Sequence, residues 1–264
     1  LQSKNLFAPV PNSWVIVPEK QTRVMTKDRT SDILRARLEK DRRINLHRYP
    51  IAISVKNEDL LLEGKVRDVA AKELSPVHAA GACGTRRIVD RLRVVPAVRM
   101  RDGEIRDLVC KALLEEPALK RCLIRGVLET PAETDRQNAP ESEGGISVEV
   151  AAGMVRLNGH VPSLAHKRLT GVRAWWVPGT RDVVNRLDEV PPQEDNDNEL
   201  TDAVSLVLEK DPFINATKLR AGAKDAVITL AGLVPTEAMK RMAERDAWYV
   251  LGVRNVVNRV QVKW

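Results

Sequence analysis

The sequence predicts an α+β protein built from three tandem αββαβ units, each a small three-stranded mixed sheet with two helices packed on one face. Two observations carry this prediction. Residues 51–92, 146–187 and 219–260 align without a gap, and ten positions are identical in all three windows. Within each window the apolar residues alternate, then fall at helical spacing, then alternate again. Self-similarity at a fixed period means that each copy is one supersecondary unit.

The first helix of each unit lies upstream of the aligned windows. "SDILRARLEKD" (31–41), "RDLVCKALLEE" (106–116) and "TDAVSLVLEKD" (201–211) align with one another. In the third copy Leu200, Val204, Val207 and Leu208 share one helical face. Ser31 or Thr201 reads as an N-cap, and the Asp that follows suits the positive end of a helix. Asp211-Pro212 fits a chain leaving that helix.

The first strand follows. "ISVEV" (146–150) puts Ile146, Val148 and Val150 on one face, and after a short turn "MVRLNGHV" supplies a second strand with Val155 and Leu157. Strand, tight turn and strand make an antiparallel hairpin. Ser163 and Thr236, each after a proline, then cap the second helix, and Asp68 does so in the first unit. Gly84, Gly179 and Gly252 stand at the end of that helix, where the left-handed C′ conformation favours glycine. The third strand alternates in "RDVVNRL", with Val183 and Leu187 toward the helices and Val184 and Arg186 away.

These elements divide the chain into an extension (1–30), unit one (31–95), unit two (102–190) and unit three (199–262). Residues 96–101 and 191–199 read as linkers. Unit two carries an insertion at about 120–145, an acidic Pro- and Gly-containing tract expected to be mobile. Within the extension, "SWVIVPEK" could form an edge strand. The chain begins without Met, which reads as a fragment or processed form.

Composition sets the function classes. Apolar residues make up 43% and aromatics only 3%, so the core is aliphatic. No apolar run is long enough to span a bilayer. The 43 basic residues exceed the 36 acidic ones and are scattered, giving net charge +7. That excess permits attraction to anionic lipid, nucleic acid or acidic protein, but no basic stripe interleaved with aromatics favours nucleic acid. Cys110 and Cys122 could pair in an oxidising compartment, although buried thiols are the commoner case. Together with His160 and His166 they match no zinc spacing, so no metal and no cofactor is expected. The hydroxyls of Ser163 and Thr236 are committed to capping, and "GACG" (81–84) sits at the wrong helix pole for an anion. The residues argue against an enzyme.

The informative side chains close the second helix: Trp175-Trp176 and Trp248-Tyr249. Helical geometry turns Trp176 inward, above Leu169 and Val172, and sets Trp175 over Arg168 and Trp248 over Arg241. An indole beside an arginine suits a headgroup interface or a protein contact. It equally suits packing between neighbouring units of the same chain. Unit one has Ala80 at this position and should lack whatever the other two do.

The order "LNGHV…GTRDVVNRL" and "LAGLV…GVRNVVNRV" resembles the BON domain. The first copy is the most divergent, with Gly84-Thr85 and Asp90 in place of the usual Gly-Val and Asn. The resemblance implies a non-enzymatic protein of the envelope or periplasm that attaches to phospholipid membranes, through three weak sites acting together. Trp175, Trp248, Arg168 and Arg241 are the candidate contacts to an anionic phospholipid surface. The alternative is a scaffold of tandem repeats that binds an envelope protein.

Overall fold

The computed structural model describes residues 27–56, 59–83, 87–127 and 142–263. Unit one comprises α1 (Lys27–Lys40), β1 (Ile51–Lys56), β2 (Asp59–Val66), α2 (Val69–Cys83) and β3 (Ile88–Val94). Unit two comprises α3 (Asp102–Leu114), β4 (Cys122–Gly126), β5 (Gly144–Ala151), β6 (Met154–Val161), α4 (Leu164–Trp175) and β7 (Asp182–Glu189). Unit three comprises α5 (Asp197–Lys210), β8 (Leu219–Lys224), β9 (Val227–Val234), α6 (Glu237–Tyr249) and β10 (Asn255–Val262). The proposed edge strand in the extension lies outside the described residues.

Each sheet is mixed. The hairpin pairs are antiparallel, and the last strand of each unit pairs parallel to the second hairpin strand after a helical crossover. The order is β1-β2-β3 in unit one and β10-β9-β8 in unit three. The inward residues Ile228, Leu230 and Val234 of β9 and Val256 and Val260 of β10 are buried under α5 and α6, as alternation requires.

Unit two departs from the three-stranded expectation. Its sheet has four strands, β4-β5-β6-β7, because the start of the insertion pairs parallel to β5 with Ile124 opposite Ile146. Cys122 and Ile124 turn inward and bury against α3, so this short segment has enough apolar surface to cover the open edge of β5. Residues 128–141 lie outside the described residues. Cys110 and Cys122 form no disulfide with each other.

Two expectations about helix ends are corrected. The helix α5 starts at Asp197, and its cap is Asn196, whose Oδ1 accepts from the amides of Asn198 and Glu199. Thr201 lies inside the helix, and its hydroxyl accepts from Ala223 N, tying α5 to β8. Ser31 likewise falls within α1. The polar residues read as linker were the better cap, followed by acids that suit the first turn.

At the other end, α4 stops at Trp175 and α6 at Tyr249, ahead of the repeated corner glycines. Gly252 has φ +101°, as expected, but Gly179 is not left-handed. A Cβ on Gly179 would stand 2.8 Å from both Ile105 and Met100, so close approach of α3 is the reason for glycine there. Gly84 lies outside the described residues. Ser163, Thr236 and Asp68 cap as read, accepting from the amides of His166, Met239 and Ala71.

The units share their interiors. Units one and three form one continuous apolar cluster, into which Val172 of unit two reaches, and the rest of unit two has its own. The contacts run between second helices: α2 and α4 both meet α6, and α4 also meets α5. Polar locks reinforce them. Asp182 of unit two receives Arg93 at 2.7 Å and Lys72 at 3.3 Å from unit one, and Arg43 of unit one donates to Asn255 of unit three at 2.7 Å.

Candidate functional site

The four side chains singled out by sequence do not form one outward patch. Trp248 is 3% exposed and lies in the core shared by units one and three. Arg168 is 2% exposed. Its guanidinium grips Asp195 at 2.7 and 2.9 Å and donates through Nε to the Leu251 carbonyl at 2.9 Å, which clamps α4 to the corner of unit three. Trp175 is half-buried and stacks on Tyr249, with ring centroids 5.7 Å apart and planes 7° from parallel. Only Arg241 is exposed. Trp248 and Arg168 do not stand at a wet face: the helix ends meet across the repeat junction, the packing between units that the sequence left open beside the surface reading.

The exposed chemistry sits elsewhere, on the open face of the third sheet. Alternation sends Arg220, Gly222 and Lys224 of β8 outward, with Val227, Thr229, Ala231 and Leu233 of β9 and Val257, Arg259 and Gln261 of β10. Arg220, Ala231 and Arg259 lie in one row across the sheet. No Asp or Glu occurs in any of these three strands. The nearest acid in sequence, Asp225, is in the hairpin turn. Arg220, Lys224 and Arg259 are exposed and pair with no carboxylate among the described residues, and Leu233 beside them is 43% exposed.

The other two sheets mix their charges. Arg91 pairs with Glu63 on the first at 3.1 Å, and Arg156 stands opposite Glu149 on the second. The cationic, carboxylate-free face belongs to unit three. Sequence reasoning missed it, although the absence of acids from all three strands was visible.

The repeat geometry also builds three acidic corners. The acid one or two residues beyond the first helix, Asp41, Glu116 or Asp211, meets the same position of the second helix, which is His78, Arg173 or Asp246. In unit one Asp41 accepts from Arg43 at 2.8 Å and contacts His78 at 3.0 Å, and the Arg43 bonds hold its carboxyl far below the usual range. In unit two burial would raise Glu116, but bonds from Lys210 and Arg173 outweigh it and hold it low. In unit three an acid faces an acid. Asp246 is fully buried, takes the Trp176 indole N–H at 3.1 Å on one oxygen, and has no donor on the other. Burial, then Asp211, pushes its carboxyl up to about 8. This corner lies between α5 and α6, at the contact with α4.

Among the described residues no cluster of His, Cys, Asp and Glu could hold a metal ion, and no helix is long and apolar enough to cross a membrane. The family model of the BON domain matches residues 26–96, 135–191 and 196–263. Among curated proteins, none matches. Two solved structures of CdsD, a structural protein of the type III secretion system of Chlamydia trachomatis, show a distant likeness. Its C-terminal domain is 13% identical over 83% of this chain and 93% of that one, with TM-score 0.23. The second is 12% identical over 88% and 91%, also with TM-score 0.23.

Proposed function

The chain belongs to the BON domain family, and from that premise we propose that it is a membrane-surface module that binds anionic phospholipid. BON domains are generally non-enzymatic and typical of envelope-associated proteins, and the hydroxyls of Ser163 and Thr236 serve as helix caps. The observation that carries the proposal is the open face of the third sheet: three exposed cations, exposed Leu233 and no carboxylate. Each basic residue near an anionic membrane contributes about 1 kcal/mol. Three cations on one flat face then give roughly a hundredfold preference for anionic over neutral lipid.

The test is sedimentation with phosphatidylcholine vesicles with and without phosphatidylglycerol. The triple variant Arg220→Gln, Lys224→Gln, Arg259→Gln should lose most binding to the anionic vesicles while melting as the parent does. Binding should also fade as salt shortens the screening length. Unchanged sedimentation of the triple variant would remove this reading. A protein-scaffold role is the second reading, favoured by the polar locks that hold the three repeats in one arrangement. It predicts association that survives high salt.

A further inference from the structure

Between units one and two lies a cleft of about 510 Å³ that the sheet face does not involve. Its walls are Lys65 of β2, Val95, Pro96, Arg99 and Met100 of the connector, and Arg181 at the corner before β7. The connector is fixed to unit two on both sides: Val94 N donates to the Arg181 carbonyl at 2.8 Å and Val98 N to the Pro178 carbonyl at 3.2 Å. The floor is shaped by two glycines. A Cβ on Gly153 would fall 2.6 Å from Arg181 Cδ, so only glycine lets that arginine lie across the β5–β6 turn. A Cβ on Gly179 would strike Met100.

The charges in this cleft are not balanced. Lys65, Arg99 and Arg181 pair with no carboxylate among the described residues. Arg181 reaches only the Ala152 carbonyl, at 3.3 Å, and its Nε is shielded from solvent with no acceptor. The one acid lining the cleft, Asp102, is engaged: its two oxygens accept from Ala152 N and Gly153 N at 2.8 Å each. Three cations therefore face one committed carboxylate.

We infer that this cleft binds a phosphomonoester, the phosphate against Lys65, Arg99 and Arg181 and a short aliphatic part against Val95, Pro96 and Met100. A carboxylate is satisfied by a single arginine fork. A dianionic group with three oxygens can use the ammonium and two guanidiniums together. The ligand could be a soluble phosphate ester or the headgroup of phosphatidic acid, and both offer the same chemistry.

The test uses the full chain with glycerol 3-phosphate as the soluble probe, followed by titration calorimetry. One-to-one binding is expected. The double variant Lys65→Gln, Arg99→Gln should weaken it at least about tenfold, since a charge-assisted bond is worth roughly a factor of ten. Both side chains are exposed, so the variant should fold as the parent does. The Arg220→Gln, Lys224→Gln, Arg259→Gln protein should bind the probe unchanged, which separates this site from the sheet face. Vesicles containing phosphatidic acid form the second arm. If only they bind, and the double variant abolishes the binding, the headgroup is the ligand. No binding in either arm, or binding that the double variant leaves intact, would overturn the inference.

Discussion

At the scale of single residues, the third acidic corner differs from its siblings by one substitution of kind. His78 and Arg173 offer a cation to the corner acid, and Asp246 offers a second carboxyl. Burial and the neighbouring Asp211 both favour the neutral form of Asp246, since a second charge in a buried site is costly. Groups facing the pair include Trp176 from α4 and Arg245 on α6, while Lys210 and Arg173 are held by Glu116. Because the folded value of Asp246 is raised above 3.8 to about 8, the native state binds more protons than the unfolded chain across that window. Stability contributed by this corner is therefore complete below the unfolded value and is lost as pH rises toward 8. Asp246→Asn keeps an acceptor for Trp176 and gives Asp211 a donor. It should raise Tm at pH 9 by roughly 3–6 °C and change it little at pH 4. An equal shift at both values would show that Asp246 does not titrate as described. The correspondence of His78, Arg173 and Asp246 was legible in the aligned repeats; their meeting with the corner acids was not, because helix-to-helix distance is absent from a sequence.

At the scale of elements, the invariant glycine of each second strand explains the shared motif. Gly64, Gly159 and Gly232 have φ of +146°, +121° and +131°, and they stand opposite the repeat-equivalent residues Ile51, Ile146 and Leu219 of the preceding strand. A Cβ on Gly232 would sit 2.1 Å from the Lys218 carbonyl oxygen. Side chains cannot occupy this point of the hairpin without breaking the first ladder bonds. Gly232→Ala should cost about 3 kcal/mol or more by denaturant unfolding. Gly222→Ala, with nothing within 4 Å of the added carbon, should be neutral or stabilise by about 0.5 kcal/mol. Similar losses in both would mean that the backbone at 232 relaxes freely. The threefold identity of this glycine is visible in the sequence, but its positive φ is not, and of the two described corner glycines only Gly252 has one. The fourth strand of unit two stayed hidden for a different reason. Five residues with two inward side chains carry too little periodicity to stand out from an insertion.

At the scale of the molecule, the repeats depend on one another for burial. Aliphatic units this small expose a large fraction of their surface, and the aromatic residues at the helix ends close that gap by packing across the junction. This is why Trp248 lies in the interior and Trp175 is half-buried against Tyr249. The polar locks then fix the arrangement, and Asp182 is the most informative of them. Its buried carboxylate joins Arg93 and the buried Lys72, so unit two neutralises charges that unit one carries. Truncation leaves Lys72 with Asp90 at 2.7 Å and the Leu92 carbonyl at 3.1 Å. The cost of Asp182→Ala should accordingly fall below that of an ammonium stranded in the core, at about 2–3 kcal/mol. If the units are thermodynamically coupled, amide exchange should quicken on both sides of the junction, in β3 as well as β7. Quickened exchange confined to β7 would show that unit one keeps its fold without its neighbour. The repeats would then be independent beads rather than the single body that presents the third sheet and the cleft in a fixed relation.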